Sequence, residues 1–249
     1  MVILELIFFG VLGALFGSFS GALAERLNTG GKFLSARSKC NSCGRTLGVP
    51  DLVPVLSWIA SLGRCRSCKV KVPVRYLLIE LALAILFMHA YLAIGISFEL
   101  GLFCAALVVL TVLTLYDLAH TIVPESLAAA LFVLSFLFAL VRTPSMHALS
   151  VTVITAGCIG LFFFLMHVLS RGRAMGLGDA PVAASLSLLA GSSAFAGFLF
   201  SFWIGGLVGI GILVGRRKGH RMGIEVPFVP FLAVGFLLAF FSGWNPLPW

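Results

Sequence analysis

The sequence predicts an all-α polytopic membrane protein of about eight transmembrane helices, with a zinc-knuckle loop on its cytoplasmic side. Three observations predict it. Of 249 residues, 60% are hydrophobic and only 10% charged, whereas an ordinary soluble domain carries roughly 25% charged residues. Apolar runs close to the ~20 residues a helix needs to cross a bilayer recur along most of the chain. Finally, the basic residues gather in a few loops. Clustering of that kind is a topology signal, and it argues against nucleic acid as the partner despite a net charge of +8.

Eight spans fit, at 2–24, 76–95, 97–116, 126–141, 149–169, 181–196, 198–215 and 227–243. The first, Val2 to Ala24, has Glu5 as its one charge and lacks the basic start of a signal peptide, so it reads as a retained helix. The span at 126–141 is short for a bilayer and is expected to extend at both ends. Within 181–215 the segment "AGSSA" at 190–194 supplies the turn. With the N-terminus outside, the loops 25–75, 117–125, 170–180 and 216–226 face the cytoplasm. They hold all but Arg142 of the 17 lysines and arginines, as the positive-inside rule requires. Three domains follow: the first helix at 1–24, a cysteine-rich loop domain at 25–75, and a seven-helix membrane domain at 76–249.

The loop domain needs a staple, because so short a segment has little core of its own. Cys40-Asn-Ser-Cys43 and Cys65-Arg-Ser-Cys68 provide one, with 21 residues between the two halves. Each C-x2-C turn lets two thiolates converge, and two such turns complete a tetrahedral Zn²⁺ site that is structural because no position stays open. In a reducing cytoplasm metal is favoured over disulfides. The surrounding Arg37, Lys39, Arg45, Arg64, Arg66 and Lys69 would favour thiolate. The bland alternative is four unmetallated cysteines in a flexible loop. Cys104 and Cys158 lie mid-span and read as small packing residues.

Nine acids exist, so each can be weighed. Glu5 and Glu99 sit near the outer surface, Glu25 adjoins Arg26, and Asp51 lies in the cysteine loop. Glu80 falls early in the second span, where a helix N-terminus favours an anion; a structural role is expected. Asp117 ends the third span in "LTLYDLAHTIVPESL", and Asp179 begins the sixth in "MGLGDAP". Both fall at the cytoplasmic membrane boundary, where a carboxylate is costly and points to function. Two carboxylates brought within hydrogen-bond reach would hold one proton between them and could activate water against a peptide carbonyl. Gly176 and Gly178 would let backbone approach closely and let Asp179 take an otherwise unfavourable turn. The alternative is two interfacial charges that never meet. His120 could share Asp117's face, but reads better as an interfacial histidine. His89, His147, His167 and His220 have no ligand-like spacing, and no G-x-S-x-G, H-E-x-x-H or P-loop is present.

These residues resemble the bacterial type IV prepilin peptidases, membrane aspartyl proteases with a G-x-G-D motif. "FGSFSGALAERL" at 16–27 is similar to the family's first-helix motif, and residues 37–80 to its zinc-knuckle loop. "DLAHTIVPESL" and "MGLGDAPVAASLSLLAG" resemble the segments carrying its two catalytic aspartates, and "VPFVPFLAVG" its last helix. The resemblance implies an inner-membrane aspartyl endopeptidase acting at the cytoplasmic face, whose substrates are type IV prepilins or pseudopilins. It implies Asp117 and Asp179 as the catalytic pair, Gly176 and Gly178 as the active-site loop, and Cys40, Cys43, Cys65 and Cys68 as zinc ligands. Many members then N-methylate the new N-terminus with S-adenosylmethionine. The chain departs from the family at Pro181, where lysine is common, at Ser20-Gly21-Ala22 and at Leu77. The cationic loop would face phospholipid head groups or organise the site. Two other readings stay open. A cation-coupled transporter using Asp117 and Asp179 would want its acids mid-membrane. A catalytically lapsed assembly protein of the same fold would explain Pro181 but not both aspartates.

Overall fold

The computed structural model describes residues 2–27, 38–173, 175–215 and 226–246, and among them the chain is helical, with two isolated β-bridges and no strand. Lys32, Arg37, Arg216, Arg217, Lys218, His220 and Arg221 of the expected basic loops lie outside the described residues. The chain forms two compact units, residues 1–100 and 101–249.

In the first unit, α1 (Val2–Arg26) packs antiparallel to α4 (Val74–Ile94). In a membrane, helices gain by close van der Waals approach between small residues, and α1 supplies them. A Cβ on Gly13 would stand 2.7 Å from Ala84 Cα, and one on Gly17 2.8 Å from Glu80 Cα. The pair is clasped at both ends. Phe9 stacks on Tyr91 with centroids 5.0 Å apart, and Tyr91 Oη donates to Glu5. At the opposite end Arg75 donates to Glu25 Oε1 at 2.8 Å, and Tyr76 Oη donates to the same oxygen. Between the two helices lies the cysteine loop with two short helices, α2 (Val49–Leu52) and α3 (Leu56–Ala60).

The second unit contains α5 (Phe98–His120, all but its first three residues), α6 (Glu125–Arg142), α7 (Met146–Ser170), α8 (Asp179–Ala190), α9 (Ala194–Gly215) and α10 (Val229–Ser242). A helix therefore stands at each of the eight expected spans, and α6 is extended by one residue at both ends. The turn expected at 190–194 is a 3-10 turn at Gly191–Ser193, entered through Gly191 at φ +57°. It ends α8 six residues before the expected boundary at 196. At 12 residues, α8 is about 18 Å long, well short of the ~30 Å hydrocarbon core. It need not span, because it is the core: every α8 residue except Pro181 and Ala184 is buried, against α6, α7, α9 and α10. An element apolar all round and shielded by neighbours is stable without meeting lipid.

Six stretches are long and apolar enough to cross a membrane, counting 179–215 as one, and α10 is a shorter apolar helix. The protein is a polytopic membrane protein. Phe163 and Phe202 close around Phe228, at 5.8 and 5.4 Å between centroids, and so fix the residue from which α10 starts.

Candidate active site and metal centre

Asp117 lies in the last turn of α5 and is 4% exposed. Its Oδ2 accepts from the Val229 backbone N–H at 3.1 Å. That N–H is one of the donors left free at the start of a helix, so the carboxylate caps α10 from another element. Pro230 in the first turn suits this helix start. Asp179 is 6% exposed and opens α8. Its Oδ2 accepts from Gly176 N–H at 3.1 Å, while its own N–H reaches Gly176 O at 3.3 Å. Each aspartate thus sits at a helix N-terminus, where backbone dipoles favour negative charge. Asp117 and His167 both lie within electrostatic reach of Asp179.

The glycines act through closeness and not through an unusual turn. Gly178 has ordinary helical angles, φ −67° and ψ −19°. A Cβ on it would lie 2.5 Å from Val123 Cβ. Val123 follows Asp117 by six residues, so this contact draws together the two segments that bear the aspartates. A Cβ on Gly176 would meet only Asp179 Oδ2, at an ordinary 3.6 Å. Pro181 is exposed on the first turn of α8. His120 is exposed, its ring 4.5 Å from that of Tyr116.

Two participants, the Val229 amide and His167, carry no signal in a one-dimensional motif, and neither does a neighbouring hydroxyl. The Val229 amide serves only because α10 begins there, and the proline flanking of "VPFVP" is the clue that it does. Thr114, one turn before Asp117, has a buried Oγ1 with no hydrogen-bond partner, a group still free to bind. His167 reaches the active-site loop from the end of α7: its Nδ1 lies 2.9 Å from Met175 O.

The four loop cysteines form one cluster whose sulfurs all lie within 4.8 Å of one another, Cys40 and Cys68 being 3.8 Å apart. Four sulfurs at the Zn–S distance of ~2.3 Å around a tetrahedral ion would stand about 3.8 Å apart, so the donor set fits a metal. Its two halves are built alike. Cys40 N–H donates to Arg45 O, and Cys65 N–H to Val70 O, each at 2.9 Å. Each turn is preceded by a bridge, Lys39 to Thr46 and Arg64 to Lys71. The fourth residue after each first cysteine is left-handed, Gly44 at φ +70° and Lys69 at φ +57°.

Backbone amides, more than the expected side-chain cations, make two of these sulfurs acidic, while the neighbouring thiols push Cys43 up. The Cys43 and Ser42 N–H groups bring Cys40 down to about 6, and those of Cys68 and Ser67 lower Cys65. The arginines instead join the halves. Arg45 donates to Ser67 Oγ at 2.9 Å and pairs with Asp51, and Arg66 Nε reaches Asp51 Oδ1 at 3.2 Å. Desolvation opposes ionisation of Asp51, but the Gly48 N–H and the two guanidiniums outweigh it and hold its carboxyl below the usual range.

Glu80 fills the structural role expected of it: Oε2 accepts from Val55 N–H at 2.7 Å, holding a residue at φ +63° where α3 begins. Beside this contact is a cavity of about 980 Å³, lined among others by Glu25, Cys40, Trp58, Cys65, Tyr76 and Glu80.

Comparison with known proteins agrees with this division. Residues 11–94 match the model of the bacterial peptidase A24 N-terminal domain, and residues 102–213 that of the type IV leader peptidase family. One match falls within each compact unit. The chain is 29% identical over 234 residues to a prepilin leader peptidase/N-methyltransferase of Bacillus subtilis, covering 94% of this chain and 92% of that protein. It is 31% identical over 208 residues to the protein of that name from Dichelobacter nodosus, covering 83% and 71%. With that from Aeromonas salmonicida it shares 30% over 218 residues, covering 86% and 71%. No solved structure matches the chain. With relatives at this identity along most of both lengths, and each unit matching its own domain, the chain belongs to the type IV leader peptidase family.

Proposed function

We infer that the protein is a membrane aspartyl endopeptidase that removes the leader of type IV prepilins or related pseudopilins, with Asp117 and Asp179 as its catalytic pair. The observation that carries this reading is a pair of buried carboxylates within electrostatic reach of each other, each held by a backbone N–H at a helix start. One oxygen of each carboxylate is taken by that N–H, leaving the other for water or substrate. In such a pair the ionised member takes a proton from water while the protonated member polarises the scissile carbonyl. No covalent intermediate is needed. The positive-inside pattern supports an inner-membrane protein with its N-terminus outside and its cysteine loop and active site at the cytoplasmic face. Entry of the hydrophobic prepilin segment between helices would bring its scissile bond to that depth.

The cysteine cluster is read as a structural zinc site within a loop domain at 25–75, between a first helix at 1–24 and a membrane peptidase domain at 76–249. The neighbouring cavity fits S-adenosylmethionine by size and lining. It falls within the ~300–1,000 Å³ of small-molecule sites. Trp58 and Tyr76 offer aromatic faces, and Glu25 and Glu80 carboxylates, to a positively charged sulfonium. Bound there, the cofactor would supply the methyl group for the new N-terminus; the chain's own part is to hold it and bring the amine beside it.

The peptidase reading is tested on purified protein with a prepilin substrate. Asp117→Asn and Asp179→Asn are each expected to abolish leader cleavage while leaving the yield of folded protein unchanged. Full cleavage by either variant would defeat the assignment.

A further inference from the structure

His167 stands in the last turn of α7, half-buried, with its Nδ1 2.9 Å from the Met175 carbonyl oxygen. A carbonyl only accepts, so Nδ1 carries the proton and donates it. That carbonyl belongs to the same peptide unit as the Gly176 N–H, which donates to Asp179 Oδ2 at 3.1 Å. A peptide unit is planar and rigid. One amide plane is therefore held at its oxygen by His167 and at its hydrogen by Asp179. Hydrogen bonds in such a chain also polarise one another, the first strengthening the second.

The imidazole is itself well anchored. The His167 carbonyl accepts from Gly172 N–H at 2.9 Å, across the left-handed Arg171 that ends α7. One turn earlier, Phe163 is fully buried. The ring thus projects from a fixed helix end onto a loop whose described residues bond over short range, Asp179 N–H to Gly176 O and Gly176 N–H to Asp179 Oδ2.

We propose that His167 is a positioning residue for the peptidase reaction, fixing the Met175–Gly176 peptide plane and through it the direction of the Asp179 carboxylate. The proposal rests on the peptidase reading above. It assigns His167 no contact with substrate: the residue acts through one amide on another side chain. Misdirecting a carboxylate lowers the rate of the chemical step more than it weakens substrate binding.

The test uses the full-length protein in detergent and a synthetic peptide spanning a prepilin leader and the first residues of its hydrophobic segment. His167→Asn places an amide donor close to the Nδ1 position, whereas His167→Leu keeps the bulk and removes the donor. His167→Leu is expected to lower kcat about tenfold or more, with KM within about twofold of wild type. His167→Asn is expected to keep most of kcat. Wild-type kcat in His167→Leu would overturn the proposal, as would an equal loss of kcat in both variants. Should His167→Leu not fold, His167→Gln, whose amide reaches toward the Nε2 position, replaces it and must lose kcat where His167→Asn keeps it. Wild-type protein and Asp179→Asn run alongside. Cleavage by Asp179→Asn, or none by wild type, would defeat the peptidase reading and this inference with it; a failure in the His167 arms alone leaves that reading standing.

Discussion

Gly178 and Gly176 look equivalent in "GLGD", yet they meet different surroundings. An added methyl at Gly178 would press to 2.5 Å from Val123 Cβ, with both Val123 γ-carbons close behind. Val123 cannot yield without moving the strand of chain that follows Asp117. Gly178→Ala is therefore expected to lower kcat for leader cleavage about tenfold or more and to reduce thermal stability by roughly 1–3 kcal/mol. Gly176→Ala should cost little by either measurement. Equal behaviour of the two variants would contradict the close-approach account. The sequence alone could place the two aspartates at one membrane boundary, because charge and hydropathy report depth. It could not name Val229 or His167, since a backbone amide and a histidine eight residues from its acceptor are brought to the aspartates only by folding.

The cysteine loop is an element whose construction the spacing announced in advance. Two C-x2-C turns imply one ion, and the four sulfurs do converge on a single cluster. What spacing concealed was the joint between the turns, where Arg45, Arg66 and Ser67 from the two halves gather around Asp51. Metal analysis is expected to find about one zinc per chain, and none once all four cysteines are serine. Asp51→Ala should keep the zinc but release it faster to a chelator, since the thiolates remain and the clamp does not. Unchanged metal content in the serine variant would rule out the site. Because the Asp51 pKa is depressed in the fold, the clamp's contribution is full above the ordinary carboxylate range and is lost as pH falls through the lowered value. Among the helices, the least readable boundary was that of α8. Its apolar run continues into α9 in hydropathy, interrupted by the short turn Gly191–Ser193.

At the scale of the whole molecule, hydropathy and loop charge were enough to predict a polytopic helical protein with eight long helices. They could not show that α8, at 12 residues, and α10, at 14, are each shorter than the bilayer core. A buried helix and a lipid-facing helix are both apolar, so hydropathy does not separate them; burial by α6, α7, α9 and α10 does. The chain has two compact units, one with the cysteine cluster and its cavity, the other with the two aspartates. Under the proposed function, the second unit would cut the prepilin and the first would hold the methyl donor. The most direct test of that account is the intact mass of a prepilin co-expressed with the wild-type chain or with Asp179→Asn. The account predicts loss of the complete leader with the wild-type chain, the mass of one added methyl group on the mature product, and the uncut precursor with Asp179→Asn. A full-length prepilin beside the folded wild-type chain, or a trimmed one beside Asp179→Asn, would contradict it.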